Sequence, residues 1–546
     1  MRICLVNPLF PESRCLVVQQ GLLHLAGQVK STGRQCDIVD YNDPDQNVPY
    51  SVLNEYDVVG LSVMTAQLPH AVEIADSLSS STRVVWGGVH CLLDPLSILQ
   101  HYPKHYVVSG DGEIPLVRLL DYLERGESED WLRAQGGISF RTDGGGPHIA
   151  APYFVRNLDD LADVNYYDYP NLEKLVWQSP YFFRDKMPYL LVHSSRGCNW
   201  KCTFCINTVY ARHNALHRSK SIEKIRRETE RVIKDLDIKL VVLQDEDFFS
   251  NPKLVEDWQE YAREKGLLWA VNGRFNYFRK MINAERLRRM MDNGLVQIGM
   301  SIESGCERLR NEILRKQVCD ADISQAIETI RAGAGDRLAV NVSFIVDFPG
   351  ETQQGKIETM KWMDRLSRSL NVAFSGPQPY RNYPGTELCE KDIPRVRGSL
   401  DYYLENTAAD GAIKENRRRS WTTSFCQYPL TLYYSRKAPY FRVRDARARP
   451  LQYDVEPSEY RGKLSLLNLE FLTIRLRLRL DFWKWFFEPA AIYILFALSK
   501  KVRVFYLDTK ARIRRAPRKI RRILGSSLSK RRVNVPKERN DGTTPH

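Results

Sequence analysis

A chain of 546 residues excludes a single compact core and predicts two or three domains. Its 43% apolar and 27% charged residues are the balance of a folded, soluble protein. The net charge of +14 does not mark a basic body: residues 500–532 hold fourteen Lys or Arg and one acid, Asp508, so +13 belongs to a tail and the rest is close to neutral.

The first 125 residues alternate short apolar runs with amphipathic stretches. "RICLVNP", "CDIVDY", "DVVGLSV", "RVVWGG" and "HYVVSG" read as strands, each ending in Gly, Pro, Ser, Asn or Asp. Segments such as "VVQQGLLHLAGQVKSTG" between them have helical spacing. Strand and helix alternating at this period predict an α/β fold with a doubly wound parallel sheet over 1–125. Ligands of such sheets sit at the strand carboxyl ends, where "VNP", "GLSVMT", "WGGVH" and "SGDGE" fall. Residues 126–185, polar and aromatic with "DGGG" and "YYDYP", read as a connector.

From Met187 the alternation resumes through "YLLVHSS", "KLVVLQDEDF", "LLWAVNGR", "VQIGMSIESG", "LAVNVSFIVDFPG" and "VAFSGPQPY". Six βα units over 186–385 predict a partial barrel, two units short of a full one. Residues 386–499 become irregular and then mainly helical, and 500–546 form the basic, flexible tail. The apolar run 486–498, interrupted by Glu488, is too short to span a bilayer, which takes about twenty residues. It reads as a buried helix closing the barrel or as an interfacial helix, which with the basic tail would make a peripheral contact with anionic lipid. No basic patch interleaved with stacking aromatics accompanies it, so nucleic acid is not an expected partner.

The chemistry concentrates in "SRGCNWKCTFC", where Cys198, Cys202 and Cys205 fall just after the first barrel strand. The other eight cysteines are scattered, and the N-terminus lacks the basic-then-apolar pattern of a secretory leader, so a reducing cytoplasm is expected. There a tight cysteine cluster binds metal more often than it forms disulfides. Three thiolates in one loop hold three irons of a four-iron, four-sulfur cluster and leave the fourth open. Zinc stays an alternative, with His193 and His213 nearby as a fourth ligand.

The C-x3-C-x2-C spacing with an aromatic before the last Cys, placed after the first strand of a partial barrel, resembles the radical S-adenosylmethionine superfamily. The resemblance implies Cys198, Cys202 and Cys205 as cluster ligands, with S-adenosylmethionine chelating the open iron and Phe204 near the adenine. "LQDEDFF" resembles the second-strand segment beside the methionine part, which makes Asp245 and Asp247 candidates. "SIESG" resembles the fourth-strand motif, with Glu303 toward the ribose or amino group. "VSFIVDFPGET" resembles the stretch lining the adenine and brings in Ser343, although the family often has Gly where Asp347 stands. These acids also have a bland reading, as caps of the helices that follow.

A doubly wound domain ahead of such a barrel resembles the cobalamin-binding subclass, class B methyltransferases included. Ser62 in "GLSVMT" and Gly87 and Gly88 in "WGGVH" match its loops, where glycine lets the nucleotide tail approach the sheet. Taken singly, Ser62 and His90 read as structural. No histidine has Asp two residues before it, so a cobalt ligand of the D-x-H-x-x-G type is not expected. The resemblance implies methylation of an unactivated carbon, or of phosphorus, in a small biosynthetic molecule. Two S-adenosylmethionine would be used per turnover, with electrons from a flavodoxin or ferredoxin. The alternatives are oxidative cyclisation or rearrangement, as in tetrapyrrole-type relatives, and radical modification of a lipid without methyl transfer. Tyr380, Arg381 and Tyr383 in "PQPYRNYPGTE" are candidates for the substrate pocket, Arg381 suiting an anionic group.

Overall fold

The computed structural model describes residues 1–11, 17–46, 48–177, 187–393, 397–408 and 411–413. All of them belong to one compact unit, Met1–Arg461. The apolar run 486–498 and the tail 500–546 lie outside the described residues. Among the described residues no helix is long and apolar enough to cross a membrane.

The first sheet has seven strands in the order β2-β1-β3-β4-β5-β6-β7. The first five are β1 (Arg2–Asn7), β2 (Gln35–Asp40), β3 (Val58–Ser62), β4 (Arg83–Gly87) and β5 (Tyr106–Val108), all parallel. Ile3, Cys4, Leu5 and Val6 are almost wholly buried, as expected of a strand covered on both faces. Because β1 pairs with β2 on one side and β3 on the other, the chain reverses direction of winding there, which opens a crevice at the strand carboxyl ends.

The stretch 126–185 is more than a connector. It adds β6 (Ile138–Arg141) and β7 (Pro147–His148) as an antiparallel hairpin on the sheet edge. Its aromatic residues then join the two halves. Tyr169 donates to Asp40 Oδ2 at 2.6 Å and Tyr166 donates to the Leu191 carbonyl at 2.9 Å, both tyrosines 2% exposed. The "YYDYP" pattern therefore marks packing between sheets, because a buried Tyr must find a hydrogen-bond partner.

The second sheet comprises β8 (Tyr189–Val192), β11 (Leu240–Leu243), β12 (Leu268–Asn272), β13 (Leu295–Glu303), β14 (Ala339–Val346) and β15 (Val372–Pro379). They pair in sequence order, all parallel, and among the described residues β8 and β15 do not pair with each other. This is the expected open (β/α)6 barrel. A two-stranded ribbon, β9 (Ser195–Arg196) with β10 (Arg218–Ser219), brackets the cysteine segment. Beyond the barrel, the helix Leu400–Asn406 returns to the first sheet, where Leu400 and Tyr403 enter its core and Tyr403 donates to Asp94.

Candidate active site

Cys198, Cys202 and Cys205 lie between β9 and a short helix, Asn207–Arg212. The loop is pinned from below: Thr203 donates its N–H to Leu314 O at 3.1 Å and its hydroxyl to Ile313 O at 2.9 Å. Two side chains point donors at sulfur, Asn207 Nδ2 to Cys205 at 3.7 Å and Arg274 Nη1 to Cys202 at 3.9 Å. Donors on cysteine sulfur are what an iron–sulfur cluster recruits around its ligands. Burial pushes the Cys198 thiol up to about 12 and raises that of Cys205, so these two thiols stay protonated until a metal displaces the protons. Neither histidine considered for zinc completes this loop: His193 lines a cavity between the sheets, and His213 is exposed with its ring 6.2 Å from Phe154.

The acids of "LQDEDFF" part in three directions. Asp245, 1% exposed, takes the N–H groups of Ser194 and Ser195 on Oδ1 at 2.9 and 3.0 Å and the Ser194 hydroxyl on Oδ2. It therefore clamps the chain leaving β8 just ahead of the cysteines, and both carboxylate oxygens are engaged in that task. Burial lifts its pKa to about 6, and the serine bonds hold it from rising further. Asp247 Oδ2 accepts from Trp200 Nε1 at 2.9 Å, Tyr277 hydroxyl at 2.6 Å and Ser250 hydroxyl at 2.9 Å. Glu246, in the loop past β11, lines the cavity toward the first sheet.

At the end of β13, Lys316 pairs with Glu303 at 2.8 Å and bonds the hydroxyl of Ser301 two residues earlier on the same face. Glu303 has φ 65° beside a register shift, a left-handed conformation that turns its carboxylate out of the ladder. Both Glu303 and Lys316 act electrostatically on Cys205, which places them by the cysteine loop. Ser343 sits in register between Ser301 and Ser375 on neighbouring strands. Phe204 meets Phe348 edge-on at 5.6 Å, and Phe348 lies 5.2 Å from Tyr380. Asp347, at φ 63°, occupies a left-handed position that favours glycine, held by Lys356 and by its own N–H donating to Glu351 at 2.5 Å.

Between the carboxyl ends of the first sheet and the cysteine loop lies a cavity of about 370 Å³. Its apolar floor includes Leu5, Leu61, Val85, Val108 and Leu116, and Ser62, Gly87 and Gly88 form its edge. Gly88 has φ 90°, and a Cβ there would meet Val63 N at 2.6 Å, so the sharp turn admits only glycine. The polar end carries Glu113, Arg196, Glu246, His193 and His24. Glu113 Oε2 and His24 Nδ1 are buried there without a protein partner. An apolar slot edged by glycine, ending in unpartnered polar atoms, fits a flat aromatic base carrying an amide-rich ring. His90 is not part of it: the ring bonds Thr65 and Ser97 and packs edge-on against Tyr403 at 4.7 Å.

"GDGE" does something the sequence did not reveal. Asp111 binds Arg196 at 3.1 Å and Arg218 at 2.5 Å, and Glu113 binds Arg196 at 2.5 Å. Acids of the first sheet thus grip both strands of the ribbon bracketing the cysteines. Sequence reasoning missed Arg196, although it stands two residues before Cys198; Lys316 and Arg274 carry no such signal, since their loops meet the cysteines only through the fold.

The chain matches the radical SAM superfamily model over residues 192–363 and the B12 binding domain model over 15–120. An uncharacterized methyltransferase of Pyrococcus horikoshii is 26% identical over 343 residues, 62% of this chain and 69% of that protein. Cytidylyl-2-hydroxyethylphosphonate methyltransferase of Streptomyces wedmorensis is 24% identical over 400 residues, 64% of this chain and 73% of that protein. Among solved structures, OxsB with aqua-cobalamin and S-adenosylmethionine bound aligns with TM-score 0.56 at 18% identity, covering 97% of this chain and 75% of that one. TsrM from Kitasatospora setae with cobalamin and a [4Fe-4S] cluster aligns with TM-score 0.54 at 16% identity, covering 72% and 74%. These two show a shared fold.

Proposed function

We propose, from the premise that the chain is a radical S-adenosylmethionine enzyme with an N-terminal B12-binding domain, that it methylates an unactivated carbon or a phosphorus of a small biosynthetic molecule. Two S-adenosylmethionine are consumed per turnover in this reading. Its cofactors are a four-iron, four-sulfur cluster, S-adenosylmethionine and cobalamin. When bound, the first two supply a carbon radical that abstracts hydrogen and the third supplies a transferable methyl group.

The observation that carries the reading is the cavity itself, which has Gly87 and Gly88 of the first sheet on one wall and Arg196, Gly197 and Asn207 of the cysteine segment on another. A substrate held there meets both domains without leaving. Cys198, Cys202 and Cys205 hold the cluster, Glu303 and Ser343 with Phe204 serve S-adenosylmethionine, and Ser62, Gly87 and Gly88 seat cobalamin. Asp245 positions the cysteine loop through Ser194 and Ser195. The methyltransferase names of the Pyrococcus and Streptomyces relatives support methyl transfer over cyclisation. Low-potential electrons from a flavodoxin- or ferredoxin-type donor complete the requirements.

Anaerobic reconstitution with iron, sulfide and cobalamin tests this. We expect about four irons and about one cobalt per chain, and S-adenosylhomocysteine together with 5′-deoxyadenosine once reductant, S-adenosylmethionine and a candidate acceptor are supplied. Cys→Ala at 198, 202 or 205 removes the deoxyadenosine. Deoxyadenosine without S-adenosylhomocysteine would replace methyl transfer by rearrangement or cyclisation.

A further inference from the structure

Arg274 follows β12 and is 6% exposed. Its guanidinium lies 4.0 Å above the Trp200 ring, donates to Cys202 Sγ at 3.9 Å and bonds the Lys316 carbonyl. It acts electrostatically on Cys198 as well. Among the described residues no carboxylate forms an ion pair with it, and its Nε has no partner. Of the acids in the same network, Glu303 is paired with Lys316, and Asp247 bonds the indole edge of Trp200 and the Tyr277 hydroxyl through Oδ2. A buried guanidinium is costly unless a negative group faces it. What it faces here is the sulfur of Cys202.

We propose that Arg274 is a positioning residue whose charge sets the reduction potential of the iron–sulfur cluster, with Trp200, itself anchored by Asp247, as the platform that fixes the guanidinium in place. The inference rests on the assignment of Cys202 as a cluster ligand. A cluster held by thiolates is net negative and gains a further negative charge on reduction, so a fixed cation against a ligand sulfur favours the reduced form. Its planar shape lets it stack on indole while a single N–H reaches sulfur, a geometry Lys cannot reproduce.

The test uses the full chain reconstituted anaerobically, with iron content measured beside an electron-paramagnetic-resonance redox titration. Arg274→Met and Arg274→Gln remove the charge, the second keeping a donor for sulfur, and Arg274→Lys keeps the charge. We expect both neutral variants to show about a tenfold lower ratio of reduced to oxidised cluster at the wild-type midpoint, a fall of about 59 mV for a one-electron couple. The Lys variant should lie closer to wild type. A neutral variant with full iron and the wild-type midpoint overturns the inference. If neither neutral variant holds iron, retention by Arg274→Lys supports charge compensation, and loss from all three overturns it in favour of a structural role. Failure of the wild-type chain to take up iron, or iron retained after Cys202→Ala, would instead sink the cluster assignment.

Discussion

Asp245 shows how one buried carboxylate is held between opposing forces. Burial disfavours its charge and three serine donors favour it, leaving a pKa of about 6 against an ordinary 3.8. A folded-state pKa above the unfolded value means that the folded protein is relatively more stable below about pH 4, and loses that advantage as pH rises through 6. Asn in its place can still accept both N–H groups on one oxygen while its amide donates to the Ser194 hydroxyl. Asp245→Asn should therefore gain on the wild type across pH 4 to 6, approaching ~3 kcal/mol by the linkage between pKa and stability, followed by thermal unfolding at stepped pH. Asp245→Ala should lose about 1–3 kcal/mol at pH 7 relative to Asn, because two buried N–H groups lose their acceptor. A pH-independent difference between wild type and Asn would show that the carboxylate is already neutral or solvated. The sequence placed this acid at a strand end but not its target, since alternation gives the direction of a side chain and not what waits there.

At the scale of elements, strands buried on both faces announce themselves as continuous apolar runs, which is why all eleven major parallel strands were readable in order. The hairpin β6–β7 was not, because its strands are short and partly exposed and its turn is built from Gly144, Gly145 and Gly146, which reads as linker. The ribbon β9–β10 was hidden for the same reason, at two residues a strand. Yet that ribbon carries the contact between domains, and its energetics are predictable. Asp111 serves two arginines and Glu113 one, all four side chains at most 18% exposed. Asp111→Asn should cost about 3 kcal/mol, because Arg218 loses its one carboxylate partner among the described residues while Arg196 keeps Glu113. Glu113→Gln should cost only about 1 kcal/mol, since Arg196 keeps Asp111. Denaturant unfolding followed by tryptophan fluorescence compares them, and a larger cost at Glu113 would show that Arg218 does not depend on Asp111.

For the whole molecule, the question is whether the two proposed cofactor sites, whose segments meet at one cavity, load as one. The walls come from different elements: Gly88 from the loop after β4, Arg196, Gly197 and Asn207 from the segment that carries the cysteines. Gly88→Ala places a Cβ against the Val63 backbone at 2.6 Å and in a left-handed conformation, and neither backbone has room to yield. Strain of about 1–3 kcal/mol at one turn is tolerable for a domain whose core spans β1 to β5, but it displaces the edge of the slot proposed for cobalamin. We therefore expect Gly88→Ala to lose cobalt at least tenfold while retaining about four irons per chain, and Cys198→Ala to lose iron while retaining cobalt. Metal analysis of both variants after identical anaerobic reconstitution decides it. Parallel loss of both metals from either variant would mean that the acidic grip on the ribbon makes the two sheets a single cooperative unit. In that case cobalamin binding and cluster binding would have to be treated as one linked equilibrium.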